Sequence, residues 1–344
     1  MKVRYLLVPL VLALIALIIG CGGDDIDVAV GDGLTGTKNS FENDDRLRVA
    51  TTVAPLTSIV LNVAGNCAYV HGLITPGIDS HTYEPRPSDA VILSRADLLI
   101  MNGGSLEGTT EELAEANLAD SSKIYKLADR TLSGDDPETG FLYDFSFPRA
   151  DGRPNPHLWM SPIYARTYAE LIRDALTEND PEQADCYWEN FASLADVLER
   201  LDRAIRADSI TVPEGARQLL TYHDSWAYWA REYGWTVIGA IQPSDFTEPS
   251  AQDVAEIIRQ IKDLDVPVIF GSEVFPSTVL ETIAQESGTE FEERLSDDEP
   301  PGESDDQGHT YVGMLVEDMR ILFTALGGSV DTVSTVPVEN TFKR

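Results

Sequence analysis

Basic residues are scarce in this 344-residue chain: 25 Lys and Arg stand against 58 Asp and Glu, for a formal net charge of −33. A nucleic-acid binder needs a basic footprint, so that class is excluded. A strongly negative surface concentrates cations around itself, which fits a cation ligand and fits a saline or acidic habitat equally well. Cysteine is rarer still, limited to Cys21, Cys67 and Cys186, and a cysteine-type zinc site has no support. Histidine occupies only five positions, and no His-Glu-x-x-His pair occurs among them, so the helical zinc-protease signature is missing. The long apolar run, Tyr5 to Ile19, falls short of the roughly 20 apolar residues that a transmembrane helix needs.

What the N-terminus does carry is an address. Lys2 and Arg4 flank the start of the apolar run, which stops at Gly20-Cys21-Gly22-Gly23. A charged start, a short apolar centre and a small-residue boundary read as a secretory signal over residues 1–20. Gly20-Cys21 resembles the bacterial lipoprotein box, in which the cysteine is lipidated and becomes the mature N-terminus. The expectation is an extracytoplasmic lipoprotein held at the cell membrane through Cys21, with each buried acyl methylene contributing about 0.8 kcal/mol. Removing Lys2 and Arg4 moves the charge from −33 to −35. Residues 21–45, rich in Gly, Asp, Asn, Thr and Ser, bury too little to order themselves and read as a flexible stalk. Outside the cytoplasm Cys67 and Cys186 fit either a disulfide or two separate buried thiols.

From Arg46 onward the chain alternates short β-rich runs with amphipathic segments, the pattern of α/β units with parallel strands. Strands are expected at 47–52, 67–73, 97–101 and 123–127, with helices at 55–64, 87–96 and 109–118. A loop through Pro148 and Pro156 follows, and helix resumes near Ser161-Pro162. Asp180-Pro181-Glu182-Gln183 is a strong helix start. Apolar residues then recur at Ala184, Tyr187, Trp188, Phe191, Leu194, Ala195, Leu198, Leu201 and Ile205, one stripe along a helix about 40 Å long at 1.5 Å per residue. The alternation restarts with strands at 218–222, 235–241, 266–270 and 289–294. Helices are expected at 225–233, 249–264, 276–287 and 311–326. This describes two lobes, 46–180 and 209–344, each with a parallel-rich sheet flanked by helices, joined by the backbone helix 181–208.

Four histidines, His81, His157, His223 and His309, fall in loops or directly after strands, where open parallel sheets bind ligands. They are too far apart in sequence to meet through local structure; two belong to each lobe, so the cleft between lobes is their natural meeting point. Their settings are specific: Asp79-Ser80-His81-Thr82-Tyr83-Glu84-Pro85, Asn155-Pro156-His157-Leu158-Trp159-Met160-Ser161-Pro162, Tyr222-His223-Asp224-Ser225-Trp226 and Glu248-Pro249-Ser250. Together with the central helix, these segments closely resemble the metal-binding solute receptors of zinc and manganese ABC importers, in order from Arg46 to Leu326. The resemblance implies two α/β lobes on a backbone helix with one divalent metal between them. It also implies His81, His157 and His223 as the first three ligands, and delivery of the metal to the permease subunits of an importer. The fourth ligand of such receptors is usually acidic; here His309 holds the place, with Asp305, Asp306 and Glu273 as carboxylate alternatives.

Neutral imidazoles suit zinc in a tetrahedron, whereas manganese prefers oxygen-rich, higher-coordinate sites. Zinc is therefore the expected ion and manganese the second choice. A closed four-ligand site leaves no position for water and speaks against a zinc enzyme, for which Glu84 is the best general-base candidate. A surface adhesin is a further alternative, because relatives of this architecture often carry that label. Other residues read as structural: His71 as a packing histidine in a strand, Trp159, Trp226 and Trp229 as core, Glu248-Pro249-Ser250 as a helix start. Glu84 and Asp224 fit either imidazole orientation or ordinary loop hydrogen bonding. The stretch 131–156, where zinc receptors often carry a histidine-rich loop, holds acids and no histidine and reads as a solvated insertion. The receptor is expected to work as a monomer.

Overall fold

Strand β3 (Leu98–Met101) is Leu-Leu-Ile-Met and buried along its whole length, as a strand must be when helices cover both faces of a parallel sheet. The structure, a computed structural model, describes residues 45–134, 136, 138–242, 249–272, 278–292 and 295–342. The leader, Cys21, the stalk as far as residue 44, Glu248 and Glu273 lie outside them. In the first lobe β3 is preceded by β1 (Leu47–Thr51), α1 (Ala54–Ala64), β2 (Ala68–Gly72) and α2 (Pro87–Leu93). It is followed by α3 (Gly108–Asn117), β4 (Ile124–Lys126) and the short α4 (Leu127–Thr131). The strand predicted over 123–127 ends early because Ala128 N donates to Asn102 O (2.8 Å) and turns the chain into α4.

After a long loop, α5 (Pro162–Asn179) leads through a 3₁₀ turn (Pro181–Gln183) into α6 (Ala184–Ser209). The second lobe contains β5 (Gln218–Thr221), α7 (Ala227–Tyr233), β6 (Thr236–Ala240), α8 (Ala251–Leu264), β7 (Val268–Phe270), α9 (Thr278–Ser287), β8 (Glu290–Glu292) and α10 (Tyr311–Ala325). Its sheet order, β6-β5-β7-β8, repeats the β2-β1-β3-β4 order of the first, and every pairing is parallel. In each sheet the order reverses beside the first strand, the place where loops part and leave a ligand crevice. The two-lobe α/β architecture with its long helix is therefore as expected.

Helix α6 is the spine. Tyr187, Phe191, Leu194, Leu198, Leu201 and Ile205 bury one stripe, which packs on α1 and α5 of the first lobe and on α7 and α10 of the second. Trp188, counted in that stripe from the sequence, is half exposed (51%) and lies on the Arg173 guanidinium, 3.8 Å from its ring centre. Helix α10 is buried at nearly every position from Tyr311 to Phe323, as an apolar helix in the core of a larger fold must be. Its start is capped by Thr310, whose Oγ1 accepts from Gly313 N at 2.9 Å.

Two further ties cross this frame. Cys67, just before β2, and Cys186, in the first turn of α6, form a disulfide with Cα atoms 6.7 Å apart, which resolves the two possibilities left by the sequence. The C-terminal segment runs back from the second lobe to the first. Asp208 accepts from Thr332 N (2.9 Å) and Val333 N (2.7 Å), and Asn62 on α1 pairs with Asn340 and Thr341. Because the disulfide closes a sequence separation of 119 residues, chain-entropy arguments assign it about 3–5 kcal/mol. Cys186→Ser should lower the denaturant midpoint accordingly, and unchanged midpoints in paired unfolding curves would show that the bridge adds no stability.

Candidate metal centre

The carboxyl ends of both sheets deliver their loops to one place. His81 lies between β2 and α2, on a turn in which Asp79 accepts from His81 N (2.9 Å) and Thr82 Oγ1 (2.8 Å). His157 sits at the start of a 3₁₀ turn before α5. His223 follows β5 by two residues, where Thr221 Oγ1 donates to its carbonyl at 2.7 Å. From these three starting points the rings converge: Nε2 of His157 is 3.0 Å from Nε2 of His81 and 2.9 Å from Nε2 of His223. The three donor atoms all lie within 4.8 Å of one another.

The opposite ring nitrogens decide what those Nε2 atoms present. His157 Nδ1 is 2.7 Å from Asn155 Oδ1 and His223 Nδ1 is 2.8 Å from Gln242 Oε1. An amide oxygen only accepts, so each Nδ1 carries the hydrogen and each Nε2 of a neutral ring presents a bare lone pair. The Asn155 orientation is fixed independently, because its Nδ2 donates to Asp144 Oδ2 (3.0 Å) and to Asp224 O (2.8 Å). Two lone pairs aimed at each other across 2.9 Å repel unless a positive charge lies between them. The arrangement is built to take a cation, or a proton in its place.

Carboxylates stand beside the imidazoles. Asp297 Oδ2 is 3.8 Å from His223 Nε2, with both side chains buried, and Asp297 O accepts from Trp159 Nε1 at 2.8 Å. Asp298 reaches across to the first lobe and accepts from Ser80 N (3.3 Å) and Ser80 Oγ (2.9 Å), next to His81. Burial holds the pKa values of His81 and His157 well below the ordinary 6.5, and the mutual repulsion of the clustered rings adds to the effect. For His223 burial also pulls downward, but Asp297, the hydrogen bond to Gln242 and Asp298 outweigh it and leave its pKa raised. Three nitrogen donors with an adjacent carboxylate suit zinc and other divalent first-row ions.

His309 stands apart from this group. Its Nδ1 is 3.2 Å from Pro301 O, and the three-imidazole cluster does not include it. The reason is that the acidic loop between β8 and α10 reaches the cleft at its start, at Asp297 and Asp298, whereas His309 lies at its end against α10. Asp305 and Asp306 are exposed, and Asp306 only closes a turn by accepting from Glu303 N at 3.0 Å. Glu84 is exposed as well. His71, Trp159, Trp226 and Trp229 are buried. Asp224 acts through its neighbours, holding Asn155 by its carbonyl and Ser146 N by its carboxylate (2.9 Å).

Sequence reasoning missed Asp297, Asn155 and Gln242. Asp297 was findable by the rule that led to the histidines, since it follows the last strand of its sheet. Asn155 was quoted as part of a motif, but its role depends on ring orientation. Gln242, 19 residues beyond His223, left no local signal.

A family model described as zinc-uptake complex component A, periplasmic, matches residues 49–325. The chain is 27% identical over 326 residues to the manganese-binding lipoprotein MntA of Halalkalibacterium halodurans, covering 94% of this chain and 99% of that one. It is 25% identical to the high-affinity zinc uptake system protein ZnuA of Bacillus subtilis, covering 86% and 92%. The periplasmic zinc-binding protein TroA of Treponema pallidum superposes with a TM-score of 0.73 at 24% identity, over 82% of this chain and 99% of that one.

Proton competition at such a site has a definite sign. A cation displaces protons only from rings that hold them, and the depressed His81 and His157 are neutral at and below pH 6.5, whereas the raised His223 is still partly protonated there. Metal affinity should therefore fall with a slope of about one proton per ion as pH drops through the raised pKa of His223. The slope should steepen only at lower pH. A pH series of competition titrations giving a three-proton slope near neutrality would contradict this ordering.

Proposed function

Because the chain belongs to the zinc-uptake complex component A, periplasmic, family, we propose that it is an extracytoplasmic receptor that captures a divalent metal ion, Zn²⁺ first, and hands it to an ABC permease. The protein binds and releases; it performs no chemistry on its cargo. The observation that carries this reading is the convergence of three Nε2 atoms, those of His81 and His223 within 3.0 Å of that of His157, with the His157 and His223 rings held in the metal-binding tautomer by amide oxygens. In this reading His81, His157 and His223 are ligands and Asp297 supplies the fourth, in the place the sequence had given to His309. One carboxylate and three imidazoles complete a tetrahedron around zinc at about 2.0–2.1 Å from each nitrogen. Anchoring through a lipidated Cys21 would keep this monomeric receptor near its permease.

Manganese is the second reading. It is favoured by the relative named as a manganese-binding lipoprotein and by the oxygen donors of Asp297 and Asp298, since manganese prefers oxygen-rich sites. Calorimetry on metal-stripped protein with Zn²⁺ and Mn²⁺ in turn separates the two. Zinc is expected to bind at a single site and more tightly than manganese. Asp297→Ala should weaken binding by at least about a hundredfold, and His309→Ala by no more than about threefold. Tighter manganese binding would reverse the choice of ion. Absence of uptake of either ion would remove the receptor reading itself.

A further inference from the structure

The segment predicted to be a solvated insertion is instead drawn across the site. Between residues 140 and 156 the chain leaves the first lobe and is pinned to the second by a series of hydrogen bonds. Arg231 Nη1 donates to Gly140 O (3.0 Å), Leu142 N donates to Tyr228 Oη (3.1 Å), and Ser146 bonds Asp224 Oδ2 (2.9 Å) and Gln242 O (3.2 Å). Tyr228 Oη also donates to Asn155 O at 2.7 Å, so one hydroxyl closes both ends of the segment. Asn155 N bonds Leu142 O at 2.9 Å, which makes the segment a loop with a fixed base.

At the top of that loop Phe147 is turned inward, 7% exposed, while its neighbour Phe145 is 52% exposed. The Phe147 ring lies 5.7 Å from the His81 ring and 5.6 Å from the His157 ring. Of the three clustered imidazoles, His157 and His223 are buried and only His81 keeps contact with solvent. A cavity of about 80 Å³ opens on His81, walled by Gly104, Ser146, Phe147, Arg153 and Pro156. An ion on its way to the Nε2 cluster therefore meets two features: the Phe147 ring over the donors, and the Arg153 guanidinium at the rim in a chain that is otherwise strongly acidic.

We propose that Phe147 is the gate of the metal centre, with cation entering and leaving past its ring, through the cavity at His81, as the 140–156 loop lifts from the second lobe. The proposal rests on the receptor reading and adds to it a route and a kinetic control. A gate changes rates of entry and exit together and leaves the affinity nearly unchanged, because it acts on the barrier rather than on the donors. Lobe separation need not occur, since α6 and the C-terminal segment tie the lobes along their backs.

The test is stopped-flow exchange of Zn²⁺ on the full mature protein, using a chelating dye for release and direct mixing for capture. In Phe147→Ala both rate constants should rise about tenfold, with Kd changing by less than about threefold. Tyr228→Phe, which removes the hydroxyl at the base of the loop and touches no donor, should act in the same direction. Arg153→Glu alters only the rim and keeps the test available if Phe147→Ala does not fold. It should speed capture about three- to tenfold at low ionic strength, and the gain should vanish near 1 M salt, where the Debye length is about 3 Å. Wild-type protein that binds Zn²⁺ while the variants exchange at the wild-type rate overturns the gate alone. Wild-type protein that takes up no Zn²⁺ overturns both the gate and the receptor reading.

Discussion

The Nε2 atoms of His157 and His223, both bare of hydrogen in the neutral rings and 2.9 Å apart, are an unfavourable arrangement in the absence of positive charge. Burial keeps His81 and His157 neutral, so without a metal ion the repulsion is relieved only by a proton on His223, and otherwise the rest of the fold must withstand it. Asn155 and Gln242 hold two of the rings by their Nδ1 hydrogens, and their own positions depend on contacts that cross between lobes. The Asn155 amide reaches Asp224 of the second lobe, and Asp298 reaches Ser80 of the first. A metal ion relieves the repulsion directly. Its binding energy thus acts on the same contacts that hold the lobes together.

The fold supplies the stiffness this requires. Two sheets with the same strand order face their switch points toward each other, so that loops from both end at the cleft. Helix α6 packs against both lobes, the Cys67–Cys186 disulfide fixes its first turn beside β2, and the C-terminal segment returns to α1. Large hinge motion has little room in such a frame. The moving part is left to a loop, which is where a receptor can afford low local stability.

Much of this was legible in the chain. The strands and helices follow from period and caps: the Pro55 start of α1, the Ser250–Asp253 box of α8 and the Gly234 stop of α7 are local signals with local causes. His81, His157 and His223 were singled out because each occupies a distinctive motif at the carboxyl end of a sheet, and their rings do converge. His309, singled out in the same way, lies outside their cluster. Its sequence position before α10 matched the expected ligand, but the acidic loop meets the cleft eleven or twelve residues earlier, and chain distance does not encode which part of a loop turns inward. The state of the two cysteines was equally hidden, since a strand and a helix come within 6.7 Å only through tertiary packing. The inward turn of Phe147 depends on Tyr228, Asp224 and Gln242, all more than 70 residues away.

The donor set is the point on which site, ion and route all turn, and X-ray absorption at the zinc edge reads it directly. Zinc-loaded protein should show a mixed shell of three imidazole nitrogens and carboxylate oxygen at about 2.0–2.2 Å, with the imidazole scattering unchanged in His309→Ala. A shell of four imidazoles that loses one ring in His309→Ala would contradict the account and restore the histidine to the site.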